Sequence, residues 1–384
     1  MKTPGILAAG LAGLLSANPV LASDDGRIQH VMRSGDPEQE RAITVDLPPS
    51  YEDDTTHDHP VLYVLDGESN LDHAVAVADF LSESMMAPEM IVVGVHAGAT
   101  RARDYLPSNQ EGSPGADQFL DFLQDELLPF VEEHYAAAPL RLISGHSYGG
   151  VLVTHALSRR PALFRAYLAQ SPYLDEATAA PVVTELEKGL RRTDPQGVFY
   201  FANLGDEPEL AAGFETLGAA LEGVETEGLK FRTTREAGAR HMSTRLVGLH
   251  DGLVSFFHDR WPLPDAVLSG GGADALARHL TELDQEFGYA VRYSEGAFQQ
   301  ATQGLLNSRD VAGAARAGAL YVEHHPSSPV AHFLRGVALA SGGRRTEGIA
   351  AIEKAIELYD REPDPSLKPL HENMQRVLRQ LRGG

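Results

Sequence analysis

The stretch that decides the fold is LRLISGHSYGGVLVTHAL, residues 140–157. An apolar run precedes the turn GHSYGG at residues 145–150, and a helix-like segment follows it. A strand, a sharp serine-bearing turn and then a helix form the context in which G-x-S-x-G presents a nucleophile. The flanking glycines avoid steric clash, because such a strained turn forces backbone segments close together. We therefore predict that Ser147 is a nucleophile rather than an incidental serine in a glycine-rich turn.

The first residues of the chain differ in character from the rest. Lys2 precedes an apolar stretch of mostly small residues over positions 6–15, and small and apolar residues continue to Ala22. A basic start, a short apolar core and small residues at a cleavage point are typical of a secretory signal peptide. We predict a signal peptide over residues 1–22, cleaved near Ala22, and a periplasmic or secreted protein. No later run reaches about 18 apolar residues, so no membrane span is expected.

The composition argues against several kinds of partner and site. The hydrophobic content of 43% over 384 residues is ordinary for a soluble globular protein. The chain has no cysteine, which removes thiol nucleophiles, disulfides and Cys-based zinc sites. The net charge of −22 argues against nucleic acid or an anionic lipid surface as a partner.

No metal and no cofactor are predicted from the sequence. His57 and His59 flank Asp58 just before a predicted strand, but a third ligand is missing, so a solvated loop is the favoured interpretation. His324 and His325 stand at the end of a predicted helix, where they are expected to be solvated or to complement the helix dipole.

Strand-like and helix-like segments alternate from residue 41 to residue 261. This alternation predicts an α/β fold with a mainly parallel, twisted sheet and helices on both faces. Between the strands predicted at residues 164–169 and 198–202, the sequence predicts only one short helix. This leaves no room for a large lid, so an open site is expected. The predicted strands cover residues 43–47, 60–65, 90–95, 140–143, 164–169, 198–202 and 230–234. The predicted helices cover residues 116–135, 151–157, 180–191, 211–221 and 245–257.

A composition shift after residue 261 predicts a second, smaller region. Proline at 262 and 264 and three glycines at 270–272 mark a linker over residues 262–274, between a catalytic domain at 23–261 and a helical region at 275–384. Residues 330–358 fit a tetratricopeptide pattern, and a weaker copy covers residues 305–326. A generic helical hairpin packed on the catalytic domain explains this small all-α appendage equally well. A protein partner or self-association through these helices is a further hypothesis.

A serine hydroxyl needs a base that removes its proton, and that base must be oriented by a further group. In this sheet architecture the order along the chain is serine, acid, histidine. His241 lies on the loop after the strand at 230–234, and we predict that it is the base. His250 and His258 come later, in a predicted helix, where an amphipathic role is favoured.

The remaining parts of the site follow from the same architecture. The acid is expected on the loop after the strand at 198–202, where three carboxylates compete and spacing does not separate them. An acyl-transfer site also needs two N–H donors for the developing oxyanion. We assign these to the backbone amides of Tyr148 and Glu68. The candidate acids, in order of preference, are Glu207, Asp206 and Glu209.

Residues 40–261 resemble the putative esterase family of α/β-hydrolases, in the branch that contains the siderophore esterases. The segments that carry the resemblance are residues 61–67, 101–107, 119–123, 126–129, 145–150, 171–172 and 251–253, together with His241. The resemblance implies an α/β-hydrolase fold and a serine hydrolase in which Ser147 and His241 react. It favours Glu207, because the acid loop of related sequences often reads Asn-Glu, and it implies that Arg103 and Asp104 brace loops near the site.

The resemblance does not select a substrate. The favoured hypothesis is an exported carboxylic-ester hydrolase that acts through an acyl-enzyme, on siderophore esters or on acylated glycans. The first alternative is an acyltransferase on the same triad, which would hand the acyl group to an alcohol. The second is a partner-binding protein that uses the helical repeats.

Overall fold

A nine-stranded sheet organises the computed structural model, which describes residues 21–22, 27–33, 40–51, 57–107, 115–224, 227–267 and 271–383. The strand order is β1-β2-β3-β5-β4-β6-β7-β8-β9. All neighbours from β5 to β9 are parallel, whereas β1, β2 and β3 form an antiparallel margin. The strands are β1 Leu21–Ala22, β2 Ile28–Arg33, β3 Glu40–Asp46, β4 His59–Leu65, β5 Ile91–Val95, β6 Ala137–His146, β7 Ala166–Gln170, β8 Val198–Leu204 and β9 Leu229–Arg235.

The predicted parallel sheet is confirmed, and the burial of its strands explains their continuous apolar runs in the sequence. Every residue of β4, β5, β7 and β8 is buried, as expected for parallel strands that are covered on both faces. β9 is the last strand of the sheet, and most of its side chains are exposed or half-buried. The signal peptide predicted over residues 1–22 lies outside the described residues, except for Leu21–Ala22, which pair with β2.

Helices cover both faces of the sheet, as predicted. The predicted helix over residues 116–135 forms as α3, a π-helical turn over Leu123–Leu127, and α4. The turn lies just before Pro129, which has no N–H to offer to a carbonyl of the preceding turn. The sequence did not predict α1. The helices up to residue 257 are α1 Gly67–Glu83, α2 Arg101–Tyr105, α3 Gly115–Phe122, α4 Leu128–His134, α5 Tyr148–Arg159, α6 Ala179–Thr193, α7 Pro208–Glu222 and α8 Thr244–Phe257.

The C-terminal region is helical, as predicted. Ser294, Asp310 and Ser328 cap three of its helices by accepting a backbone N–H three residues later. A Cβ atom at Gly336 would lie 2.9 Å from the carbonyl oxygen of Gly348, so these glycines let two helices pack closely. The helices are α9 Gly272–Phe287, α10 Glu295–Asn307, α11 Val311–His324, α12 Pro329–Ser341, α13 Arg345–Arg361 and α14 Lys368–Gly383. The tetratricopeptide interpretation stays a prediction.

The two faces of the sheet are covered by different parts of the chain. One apolar core lies between the sheet and helices α2 to α7. The other joins the opposite face to α1, α8 and the C-terminal helices. The C-terminal region meets the rest of the chain through aromatic side chains, with Phe287 5.9 Å from Phe257 and Tyr293 5.1 Å from Trp261 between ring centroids. Among the described residues, no helix has both the length and the apolar character needed to cross a membrane.

Two predictions about histidines were wrong. His59 is buried at the start of β4 rather than part of a solvated loop, and the ring of His57 stacks on that of His324 at 6.3 Å. His325 is also buried and donates from Nε2 to the carbonyl of Tyr293 at 2.8 Å. Burial lowers the pKa of His324 to about 4. The C-terminal helices cover these side chains, and the local sequence carries no sign of that packing.

Candidate active site

Strained backbone marks the carboxyl ends of three adjacent strands. Asp66 follows β4, Ser147 follows β6 and Ser171 follows β7, with φ values of 55°, 61° and 37°. β6 pairs with both β4 and β7, so the three turns lie side by side. Residues with a side chain seldom adopt positive φ, and such strain is concentrated at functional sites. The carboxyl edge of the sheet is therefore the candidate functional site.

Ser147 stands on the sharp turn that its sequence predicts. It precedes α5 with φ 61° and ψ −117°, and its amide donates to the carbonyl of Gln170 at 3.0 Å. A Cβ atom at Gly145 would lie 2.5 Å from backbone atoms of Gly149, and one at Gly150 would lie 2.9 Å from Pro172. Gly149 itself has room for a Cβ, with its nearest neighbour at 3.5 Å. The crowding thus falls on Gly145 and Gly150, whereas the G-x-S-x-G motif suggests Gly145 and Gly149.

Glu207 lies against the imidazole of His241. His241 Nδ1 donates a short hydrogen bond to Glu207 Oε2. The other carboxylate oxygen, Oε1, accepts from Ser171 Oγ at 2.7 Å and from the amide of Gly205 at 3.2 Å. Because Glu207 is only 3% exposed, these donors hold its carboxylate in one orientation. This contact leaves Nε2 of His241 free of the carboxylate and available to a reacting group.

The other two candidate carboxylates lie elsewhere. Asp206 is exposed and its Oδ2 accepts from the amide of Gly238 at 2.9 Å, which holds the loop that carries His241. Glu209 is exposed in the first turn of α7, where a negative charge complements the helix dipole. Of the three neighbouring carboxylates, Glu207 is the one in contact with His241.

His241 reaches the neighbourhood of Ser147 from a separate loop. Its ring centroid is 4.5 Å from that of His146, the residue before Ser147. Both Ser147 and His241 are half-buried, so solvent and small molecules reach them. Within the described part of the chain, no hydrogen bond joins Ser147 Oγ to His241. Such contacts are often long without substrate and tighten when it binds.

The two amides assigned to an oxyanion lie in the first turns of two neighbouring helices. Tyr148 begins α5 and Glu68 is the second residue of α1, and first-turn amides have no intrahelical acceptor. β4 and β6 pair with Val64 opposite Ser144, which brings these helix starts together. The Glu68 carboxylate accepts from the amides of Ala97 and Gly98 at 3.3 and 3.2 Å, so its side chain is engaged by the loop after β5.

An ion pair between the half-buried Arg101 and the buried Asp66 connects the turns around Ser147. Asp66 is 5% exposed and accepts from Arg101 Nε at 2.6 Å and from Nη2 at 2.9 Å. Burial raises the pKa of Asp66, and Arg101 opposes that rise. Nη2 of Arg101 also donates to the carbonyl of His146 at 3.1 Å, and its guanidinium lies 5.3 Å from the ring of Tyr148. Asp66 therefore braces the turns around Ser147.

Asp104 has the bracing role that the family resemblance implied. Its carboxylate accepts from Arg41 Nη1 at 2.7 Å and from Arg103 Nε at 2.8 Å, and it is buried. Thr100 Oγ1 donates to it at 2.7 Å. These bonds tie the segment after β5 to β3.

Sequence reasoning missed three residues that support the site. Ser171 donates to Glu207, and Thr244 Oγ1 donates to the carbonyl of His241 at 2.7 Å. His146 Nε2 contacts the same carbonyl at 2.6 Å. Position was a signal for two of them, since Ser171 follows the end of β7 and His146 stands beside Ser147, whereas Thr244 is three residues away from His241. Among the described residues, no group of three or more His, Cys, Asp or Glu side chains is arranged to hold a metal ion.

Comparison with known proteins finds a family similar to part of this chain. Residues 34–200 match the family model described as "Putative esterase". This part of the chain is similar to that family. The matched segment runs from before β3 to the start of β8 and contains Ser147, whereas Glu207 and His241 lie beyond the matched residues.

Two fungal proteins are similar to part of this chain. The siderophore triacetylfusarinine C esterase of Aspergillus fumigatus is 32% identical over 146 residues, which are 34% of this chain and 50% of that protein. The siderophore enterobactin esterase of Emericella nidulans is 28% identical over 158 residues, 39% of this chain and 50% of that protein. The chain thus spans about half the length of these relatives.

A solved structure shows the same fold. The IroE-like serine hydrolase from Shewanella oneidensis has a TM-score of 0.64 and 24% sequence identity, and the match covers 77% of this chain and 98% of that chain. At this level of identity the likeness concerns the fold, and it confirms the predicted α/β-hydrolase architecture.

Proposed function

We propose that this chain is a serine hydrolase that cleaves carboxylic esters through an acyl-enzyme on Ser147. The observation that carries the proposal is the hydrogen bond from His241 Nδ1 to the buried carboxylate of Glu207, at the sheet edge where Ser147 stands on a strained turn. A nucleophile, a base and a group that orients the base are the parts such chemistry requires. The similarity of residues 34–200 to the putative esterase family supports the same reaction class.

In the proposed mechanism, His241 Nε2 takes the proton of Ser147 as Oγ attacks the ester carbonyl carbon. The tetrahedral intermediate collapses when His241 returns that proton to the leaving alkoxide, which departs as the alcohol. Water then attacks the acyl-enzyme by the same route and releases the carboxylic acid. Glu207 stays ionised throughout, fixes the Nδ1–H tautomer of His241 and stabilises the imidazolium.

The carbonyl oxygen gains negative charge in each tetrahedral intermediate. The amides of Tyr148 and Glu68 are proposed to donate to it, because both lie in helix first turns whose N–H groups lack internal partners. The positive ends of two helix dipoles, α1 and α5, add to the stabilisation.

The proposed substrates are siderophore esters or acylated glycans, with the siderophore class favoured by the names of the relatives. Ferric siderophores carry negative charge, which a protein of net charge −22 repels in general. Arg101 is neutralised by Asp66. Arg240 and Arg245, on either side of His241, form no ion pair with a carboxylate among the described residues; Arg245 donates to neutral oxygens of Ser69 and Asn70. These two cations support binding of an anionic ester.

An open site is consistent with bulky substrates. Between β7 and β8 the chain forms only α6 and its short connections, and no large lid is built there. We further propose that the protein is exported, on the basis of the signal-peptide pattern over residues 1–22. Amino-terminal sequencing of the protein recovered from the periplasm or the medium tests this, with a start near Ser23 expected.

The proposal is tested with Ser147→Ala. Chromogenic esters of increasing acyl length, ferric siderophores and acetylated glycans are the substrates, and kcat/KM should fall on the order of 10³-fold or more. Ser84→Ala, at the exposed far end of α1, is the matched control and should retain full activity. Ester cleavage that persists undiminished in Ser147→Ala contradicts the proposal. Product analysis with a competing alcohol separates hydrolysis from acyl transfer.

A further inference from the structure

The residue before the proposed nucleophile touches the backbone of the proposed base. His146 is 6% exposed, and its Nε2 lies 2.6 Å from the carbonyl oxygen of His241. A carbonyl oxygen can only accept, so Nε2 of His146 carries the hydrogen and donates. This bond joins two segments that are 95 residues apart in sequence.

We propose that His146 is a positioning residue, whose Nε2–H holds the carbonyl of His241 and so fixes the base relative to Ser147. This inference rests on the proposed function, because it assigns His146 a part in that same reaction. His146 does not touch the reacting atoms. It acts through the backbone of the loop that carries His241.

The backbone of His146 is itself anchored. Its carbonyl accepts from Arg101 Nη2 at 3.1 Å, and Arg101 is held by its two bonds to Asp66. The His146 side chain therefore extends from a turn that is fixed to the end of β4. Its bond to His241 transmits that fixed position to the loop over residues 236–243.

The carbonyl of His241 has a second donor, Thr244 Oγ1, at 2.7 Å. Thr244 also lies 2.7 Å from Ser171 Oγ, which donates to Glu207. The imidazole of His241 is thus held at Nδ1 by Glu207, while its main chain is held from the acid side by Thr244 and from the nucleophile side by His146. Of these three contacts, only that of His146 comes from the turn that carries Ser147.

An uncharged ring suits this position. The His146 ring centroid is 4.5 Å from that of His241, which becomes an imidazolium in each half of the proposed reaction. A second cation at that distance would disfavour the imidazolium. Burial, and after it the charge of His241, lowers the pKa of His146 to about 3, so the ring stays neutral while it donates.

Three substitutions separate the hydrogen bond from the bulk of the ring. His146→Gln can place an amide N–H near the Nε2 position, His146→Asn reaches only the Nδ1 position, and His146→Leu has similar bulk without a donor. For cleavage of a chromogenic ester, Leu and Asn should lower kcat on the order of 10- to 100-fold, since small misplacements of reacting groups have effects of that size. KM should change by less than about threefold, and Gln should restore kcat to within about fivefold of wild type.

Amide hydrogen exchange of residues 236–243 provides a readout that does not depend on activity. The Leu and Asn variants should exchange faster than wild type in this loop, and the Gln variant should not. If Gln behaves like Leu in both measurements, or if all three behave like wild type, the positioning role of His146 is wrong. If the wild-type protein cleaves no ester, the proposed function fails, while the exchange series still decides whether His146 holds the loop.

Discussion

The two ends of the parallel strands are built for different purposes. At the carboxyl ends, short loops carry strained residues, the ion pair between Arg101 and the buried Asp66, and the contact between His241 and Glu207. At the amino ends, the C-terminal region packs on the sheet-bearing part of the chain through Trp261, Phe287 and Tyr293. Arg165, just before β7, is paired with Glu286 at the end of α9, which places these helices at that edge.

This difference separates chemistry from stability within one sheet. Open α/β sheets bind their ligands beyond the carboxyl ends of the strands, and the amino ends are free to bury apolar surface. The C-terminal helices share an apolar core with the sheet and α8, so their removal would expose that core. Their packing on the sheet supports a structural contribution. A further role of these helices in binding a partner stays a prediction.

The largest effect is expected at the carboxyl edge, from Glu207→Gln. The amide is of similar size, but it no longer stabilises the imidazolium of His241 or enforces its tautomer, so kcat should fall by about 10²- to 10⁴-fold. Glu209→Gln is the matched control, because Glu209 is exposed and does not contact His241. Steady-state kinetics on one chromogenic ester measures both. Equal losses in the two variants would remove Glu207 from the proposed triad.

At the amino edge, Phe287→Ala should change stability rather than catalysis. Phe287 is 5% exposed and packs against Phe256, Phe257 and Trp261, so the cavity left by its removal should lower the free energy of unfolding by about 3–5 kcal/mol. The folded variant should keep its kcat/KM. Phe80→Ala is the control: that ring is 54% exposed, and the change should be within about 0.5 kcal/mol.

Urea unfolding monitored by circular dichroism measures the free energy of unfolding, and ester cleavage at low temperature measures kcat/KM. A large loss of kcat/KM in folded Phe287→Ala would show that the two edges are coupled. That result would break the separation on which the comparison rests.

The smallest expected effect is the dependence of stability on pH, and it involves one histidine at each edge of the sheet. Burial lowers the pKa of His146 to about 3 and that of His324 to about 4, whereas the unfolded chain protonates these rings near pH 6.5. The unfolded state therefore binds more protons below pH 6.5, and stability should fall as the pH drops from 7 to 5. The urea midpoint at the two pH values measures this, and His324→Phe should reduce the difference. An unchanged or higher midpoint at pH 5 contradicts the expectation.

Much of the catalytic region could be predicted because its signals are local. The apolar runs of β4, β5 and β8, the glycine-flanked turn at Ser147 and the place of His241 after the last strand follow from strand burial and chain order. α1 was missed, since it begins with Gly67 one residue after the end of β4 and its start resembles a loop. The C-terminal helices were predicted as helices, but their packing on His59 and His325 depends on tertiary contacts that no local pattern carries.

The sequence could not select the acid of the site, because that choice also depends on tertiary contacts. Asp206, Glu207 and Glu209 stand within four residues, and their spacing was equally compatible with all three. The fold separates them, because Pro208 begins α7 and leaves Glu207 buried as the residue before the helix, while its neighbours turn to solvent. A hydrogen bond across 34 residues, from His241 to Glu207, distinguishes them, and it exists only once both loops are folded.

The central claim is that Ser147 is an activated nucleophile, and a fluorophosphonate probe tests it most directly. Peptide mapping by mass spectrometry, after a short exposure of the wild-type protein, should find one phosphonyl adduct, on the peptide that contains Ser147. The Ser147→Ala protein should take up none, and Glu207→Gln should be labelled more slowly than wild type. An adduct on another serine, or labelling of Ser147→Ala at the wild-type rate, would contradict the account.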